Sequence, residues 1–340
     1  MKKISTLLLS LAMGVGTMFA SVEIDGLYYN LNENDMTAEV AYSEKCIFGY
    51  TMPSLVIPAS VTYESKEYSV TRIGNRAFCG LFGGNEVTIP NSIISIGDSA
   101  FRVCPELTKI NLGTGVTEIG KEAFAWCPKL ESIIIPNGVT CIKEATFCMC
   151  DNLQSVTLPK SLKEIDARAF QLCKSLNNVN LPNGLDSIGI QAFHACYSLT
   201  EISIPNSVKK IGASAFHGDT VLTKVSIGSG IETLEPITFS ECKALDTVIV
   251  NIEDPLYIYS TVFFNVDLSN IVLMVPTGSV EAYREADVWK DFKEILPLQE
   301  TMAISNVHNN NAQGTKVIRD GQIFIRRGEK TYTLQGNEVR

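Results

Sequence analysis

The sequence has few of the side chains on which most enzymes and metalloproteins depend. Only three of its 340 residues are histidine. It contains no G-x-S-x-G nucleophile elbow, no P-loop and no H-E-x-x-H pair. Acidic residues outnumber basic ones by 37 to 28, and there is no long basic run of the kind that phosphate binding needs. We therefore expect no catalysis, no cofactor, no metal site and no nucleic-acid partner.

Long apolar runs are also scarce. Ile4 to Phe19 is apolar, follows the cationic start Met1-Lys2-Lys3 and ends just before Ala20. It is shorter than the roughly 20 residues that cross a bilayer, and its pattern is typical of a secretory signal peptide. A buried N-terminal helix is the alternative. We expect an exported protein, secreted or at the cell surface, without a transmembrane span.

The dominant feature of the chain is a repeat of 23 residues. The unit reads I-G-x-x-A-F-x-x-C-x-x-L-x-x-I-x-I-P. Its phenylalanines are Phe78, Phe101, Phe124, Phe147, Phe170, Phe193, Phe216 and Phe239, and a ninth, degenerate unit contains Phe263.

The unit predicts two short strands and a turn. The end of L-x-x-I-x-I alternates with period 2, which indicates a strand with one face inward, and the proline that follows stops it. A second apolar pair, as in Val116 and Ile119, predicts another strand. The run from Phe through Cys to Leu steps by three and suits one tight helical turn. Since one unit cannot bury its own Phe, Leu and Ile, units about 4.8 Å apart must stack.

These residues resemble a known family. The phrases IGDSAF (Ile96 to Phe101) and LTEISIP (Leu199 to Pro205) are similar to those of BspA-type leucine-rich repeats, which are common in surface proteins of Bacteroidetes and some mucosal protozoa. The resemblance implies an α/β repeat solenoid: a right-handed, β-rich leucine-rich-repeat coil of 23-residue units with end caps. It also implies adhesion to host extracellular proteins such as fibronectin or fibrinogen.

The resemblance and the composition together predict the domain organisation. Ser279 is a suitable N-cap for a closing helix, with Tyr283, Trp289 and Phe292 at helical spacing. The last residues alternate between apolar pairs and glycine turns, which predicts two or three strands. They resemble the C-terminal sorting tails of secreted Bacteroidetes proteins, and a capping hairpin is the alternative. The predicted segments are a signal peptide (1–20), an N-terminal β cap (21–69), about nine repeats (70–276), a capping helix (277–296), a linker (297–314) and a C-terminal β tail (315–340).

Cysteines and histidines recur with the repeat. Buried free thiols are expected three residues after most phenylalanines, because stacked side chains are too far apart for disulfides. Asp219 takes that position in one unit. Cys46, Cys79, Cys141 and Cys148 do not occupy this position of the repeat, and a disulfide between two of them is an alternative. His194 and His217 are also 23 apart. With Cys196 and Asp219 they form a conceivable metal site, but we expect two exposed turn residues.

The outward positions of the longer strands form a flat polar stripe, which is the candidate binding face. Such a face fits an extended protein ligand, since solenoids expose long surfaces. A host matrix or plasma protein is the expected ligand; a carbohydrate- or glycoprotein-binding protein and a purely structural surface protein are the alternatives. Tyrosines such as Tyr257 and Tyr259 lie near the ends of the array, where we expect cap packing. The candidate face consists of Lys109, Asn111, Ser132, Ser155, Thr157, Asn178, Asn180, Glu201, Ser203, Lys224 and Ser226.

Overall fold

The computed structural model describes residues 21–42 and 54–298, together with four strands between residues 315 and 339. The chain divides into two units, Met1–Pro297 and Leu298–Arg340, and each is described separately. The predicted signal peptide (1–20), Cys46 and nearly all of the predicted linker lie outside the described residues.

One side of the first unit is a ladder of short parallel strands, and from Glu86 to Val250 its paired residues are 23 apart. Ser132, for example, lies opposite Ser155. The inner residue of each strand is buried and its neighbours face outward, as the alternation in the sequence predicts. This first ladder consists of Ser54–Val56, Glu86–Thr88, Lys109–Asn111, Ser132–Ile134, Ser155–Thr157 and Asn178–Val179 in one sheet, and Glu201–Ile204, Lys224–Ile227, Thr247–Val250, Val272–Val275 and Glu294–Pro297 in another.

A second ladder of two-residue strands lies elsewhere on the same turns, and it confirms the second strand that the repeat predicts. Its strands are Ser95–Ile96, Glu118–Ile119, Cys141–Ile142, Glu164–Ile165, Ser187–Ile188, Lys210–Ile211 and Thr233–Leu234. Its first two strands belong to one sheet with Val22–Ile24, Leu27–Asn32, Thr37–Val40, Ser60–Tyr63 and Lys66–Ile73, and its other five strands form a separate sheet. The first of these sheets packs Tyr29 and Tyr68, each 1% exposed, against the first turn of the core.

The stretch around each phenylalanine is a chain of turns rather than the helical turn expected. Two residues before and after Phe124, Glu122 (φ 53°) and Trp126 (φ 61°) adopt left-handed backbone, which interrupts any helix. The N–H of Phe124 donates to the carbonyl of Thr146 (2.9 Å), one turn further on. Backbone hydrogen bonds therefore join successive turns on this side as well.

The core is the continuous aromatic column that the 23-residue spacing predicts. From Phe78 to Phe239 the rings stack at centroid distances of 5.1 to 5.5 Å, and Phe263 follows at 5.7 Å. The rings from Phe78 to Phe239 are at most 1% exposed. Each turn thus buries its phenylalanine between the two turns that flank it.

The C-terminal cap is less helical than expected. The predicted helix is a six-residue α-helix, Val280–Glu285, flanked by 3-10 turns at Thr277–Ser279 and Trp289–Asp291. Ser279 makes no side-chain capping bond. Trp289 and Phe292 pack edge-on against Phe263 and close the aromatic column. Val280–Glu285 is the one α-helix among the described residues, so the fold is a β-solenoid and the α/β description is too loose.

The second unit contains a four-stranded antiparallel meander, where two or three strands were expected. The strands, in sheet order, are Thr315–Arg319, Gln322–Arg327, Lys330–Thr333 and Glu338–Val339.

No helix in the described part of the chain is long and apolar enough to cross a membrane.

Removing one ring from the aromatic column should leave a cavity that neighbouring turns cannot fill. We expect Phe170→Ala to lower the free energy of unfolding by about 3–5 kcal/mol, measured by urea denaturation. The control is Phe82→Ala, because Phe82 is 61% exposed and its loss should change stability by less than about 0.5 kcal/mol. Equal effects of the two substitutions would contradict the column as the source of stability.

Candidate functional site

The residues of the candidate binding face, except Asn180, lie in two outward rows of the first ladder, which we call the ladder face. In the first row Lys109 pairs with Ser132, Ser132 with Ser155 and Ser155 with Asn178. Glu201 pairs with Lys224 further along. Because the backbone register is fixed by parallel pairing, these side chains stand side by side on one flat surface.

The second row is less regular. Ser203 pairs with Ser226, and Thr157 pairs with Ile134. Asn111 has Thr88 as its ladder partner. Asn180 lies just beyond its strand, Asn178–Val179, so the structure does not place it in the ladder.

The ladder is interrupted in the middle of this face. No pairing joins Asn178–Val179 to Glu201–Ile204 among the described strands, and the two sheets of the ladder end there. Asparagine is a poor strand residue because its side chain competes for backbone hydrogen bonds. The core is undisturbed at this point, since Phe170 and Phe193 still stack at 5.2 Å. The interruption therefore concerns the surface strands and not the aromatic column beneath them.

Ile134 is an exposed apolar side chain in the middle of the ladder face. It is 71% exposed beside Thr157. Ile249 lies further along the same row, between Ser226 and Met274, and is 9% exposed. An exposed apolar side chain such as that of Ile134 can be buried when a protein partner docks.

The charges of the ladder face alternate in sign. Glu86 lies opposite Lys109, and Glu201 lies opposite Lys224. Opposite charges on neighbouring strands compensate each other, so the face has no field that would favour a strongly charged ligand. With its small hydroxyl and amide side chains, the arrangement can hydrogen-bond a partner.

The cysteine column is a structural element. Each of its six thiols is buried, and each Sγ–H donates to the carbonyl of the phenylalanine 26 residues earlier. Burial raises the pKa of these thiols, which keeps them protonated and unreactive. The distances are 3.3 Å for Cys104, 3.1 Å for Cys127, Cys150, Cys173 and Cys242, and 3.4 Å for Cys196.

Asp219 occupies the thiol position of the seventh unit and is fully buried. Its Oδ1 accepts a hydrogen bond from the Cys196 N–H at 2.7 Å, while Oδ2 has no partner among the described residues. Burial raises the pKa of the Asp219 carboxyl well above its ordinary value of 3.8. The group is therefore most stable in its neutral form.

His194 and His217 stack on neighbouring turns with ring centroids 5.0 Å apart. They are half-buried rather than the exposed turn residues expected. Burial, followed by the proximity of His217, lowers the pKa of His194. Within the described part of the chain, no group of three or more His, Cys, Asp or Glu side chains is arranged to hold a metal ion.

Comparison with known proteins identifies the repeat. The model of the BspA type leucine rich repeat region matches residues 58–177 and 163–283, in six copies. A search of the curated proteins found no match.

Several solved structures are similar to the chain. A leucine rich cell surface protein from Faecalibacterium prausnitzii is 20% identical over 86% of this chain and 99% of its own, with a TM-score of 0.44. A leucine-rich repeat protein from Bacteroides ovatus is 22% identical over 81% of this chain and 90% of its own (TM-score 0.43). One from Bacteroides capillosus is 31% identical over 40% of this chain and 96% of its own (TM-score 0.34).

Asp219 should make stability depend on pH. The unfolded carboxyl ionises near its ordinary pKa of 3.8 whereas the folded one does not, so the unfolded state binds fewer protons as the pH rises. The free energy of unfolding should therefore fall as the pH rises above about 4. In urea denaturation between pH 4 and 8, Asp219→Asn should lose the part of this decrease in the free energy of unfolding that comes from the Asp219 carboxyl. Asp219→Cys, which restores the thiol donor, should raise stability by about 1–3 kcal/mol near pH 7. Identical pH profiles for wild type and Asp219→Asn would show that the carboxyl is not buried.

Proposed function

Because the chain belongs to the BspA-type leucine-rich repeat family, we propose that it is a non-enzymatic exported or cell-surface protein whose ladder face binds a protein ligand. The family model covers more than half of the 340 residues. The apolar stretch Ile4 to Phe19 supports export, and labelling of intact cells by an antibody against the ladder face tests it.

The observation that supports binding most directly is the ladder face itself. Its two rows of small polar side chains lie on a parallel ladder, with Ile134 exposed among them. The strands beneath are fixed by the buried column, so little conformational entropy is lost when a partner docks. A polar surface that also exposes an apolar side chain has the mixed composition of many protein interfaces.

The proposed ligand is a host extracellular protein such as fibronectin or fibrinogen. This choice rests on the resemblance of the repeats to the BspA type and on the compensation of opposite charges along the ladder, Glu86 with Lys109 and Glu201 with Lys224, which suits a protein surface. A structural surface protein without a specific ligand is the competing function, and the two differ in whether the purified protein binds at all.

The proposal is tested by placing a large side chain on the ladder face. Thr157→Arg should weaken binding of the purified protein to immobilised fibronectin or fibrinogen at least tenfold, as measured by surface plasmon resonance. Thr140→Arg is the matched control, because Thr140 is also exposed but precedes the second-ladder strand Cys141–Ile142.

Three results would count against the proposal. Binding that both arginine variants weaken equally would contradict the ladder face as the site. Binding that neither variant weakens would do the same. Failure of the wild-type protein to bind either ligand would contradict the proposed partner.

A further inference from the structure

The ninth turn exposes two tyrosines that the caps do not use. Tyr257 is 82% exposed and Tyr259 is 52% exposed, although both were expected to pack in the cap. Their ring centroids are 5.9 Å apart and the planes cross at 70°, so the two rings form an open corner. Burial of an aromatic ring of this size ordinarily stabilises a fold, and these two exposed rings contribute little in this way.

The segment that presents the tyrosines is held rigidly from below. Ile258, between them, is 2% exposed and belongs to the core. The Tyr283 hydroxyl donates to the carbonyl of Ile252 at 3.0 Å, and the Trp289 indole N–H donates to the carbonyl of Leu256 at 2.8 Å. Two buried aromatic side chains of the cap thus fix the backbone that leads to the exposed pair.

The position of the pair is specific to this turn. Tyr257 and Tyr259 flank the buried Ile258 as Thr233 and Glu235 flank the buried Leu234 one turn earlier. The second ladder ends at Thr233–Leu234 among the described strands. Beyond it, the aromatic pair takes the place of the small or charged side chains that other turns present on this side.

We propose that Tyr257 and Tyr259 form a binding site for a pyranose ring of a neutral glycan. The face of an aromatic ring has negative electrostatic potential and attracts the partly positive C–H groups of a sugar face. One tyrosine ring can stack against a face of the sugar while the other ring contacts the edge of the sugar. Glu253, Asp254 and Ser260 are exposed in the same segment, and their oxygens can accept hydrogen bonds from sugar hydroxyls.

The surroundings favour a neutral sugar over other ligands. A proline-rich peptide needs ridges of parallel aromatic rings with apolar space between them, whereas these rings are nearly perpendicular. Glu253 and Asp254 are exposed in the segment that leads to the pair, and their negative charge disfavours sialylated or sulfated glycans. The site is also separate in sequence and position from the ladder face, so the glycan proposal can be tested independently of the proposed protein ligand.

The site is tested on purified full-length protein with an array of neutral, sialylated and sulfated oligosaccharides. We expect binding to at least one neutral glycan, with saturation-transfer NMR signals on the C–H protons of the sugar ring. Tyr257→Ala and Tyr259→Ala should each weaken this binding about tenfold. Tyr197→Ala is the matched control, because Tyr197 is 44% exposed on another turn, and it should bind as the wild type does.

The outcomes separate the two proposals. Thr157→Arg should leave glycan binding unchanged. Urea denaturation should show the three tyrosine-to-alanine variants to be as stable as wild type. The glycan site is wrong if no neutral glycan binds, if Tyr257→Ala binds glycan as well as Tyr197→Ala does, or if a proline-rich decapeptide binds the pair in preference to every sugar.

Discussion

Stacking of one phenylalanine ring on the next, turn after turn, is the contact on which the remaining structure depends. Phe124, for instance, lies between Phe101 and Phe147 at 5.5 Å from each. A single turn has nothing with which to cover its own ring, so burial requires both neighbours. The thiol column and the two ladders then follow the same spacing, because each is carried by the same turns.

A solenoid stabilised in this way leaves its outward side chains free to vary. The ladder face needs only small, hydrogen-bonding residues that tolerate parallel pairing, and Ile134 and Asn178 depart from that pattern without disturbing the core. The corner formed by Tyr257 and Tyr259 departs further, and it does so where the second ladder has ended. Function in this protein is therefore proposed at positions where the surface differs from the repeat while the interior keeps it.

Much of this architecture follows from the sequence, because periodic burial is a local signal repeated many times. The Phe column, the strands around Ile110 and Ile119 and the buried thiols were all predicted from spacing. The interruption after Asn178, the shortness of the predicted closing helix, which is only Val280–Glu285, and the exposure of Tyr257 were not. Each of these depends on how one irregular segment meets its neighbours, which spacing alone does not specify. Asp219 was recognised as an exception, but its missing partner at Oδ2 is visible only in the packed turn.

If the turns are interchangeable because they share one continuous column, the protein should tolerate removal of a whole turn. Deletion of residues 148–170 joins Phe147 to Gln171 and removes one repeat of 23. We expect this variant still to unfold cooperatively in urea, with the circular dichroism of a shorter solenoid. Deletion of residues 159–170 alone, which removes about half a turn and breaks the register, should abolish the cooperative transition. If both deletions unfold the protein to the same extent, the shared column is not what holds the turns together.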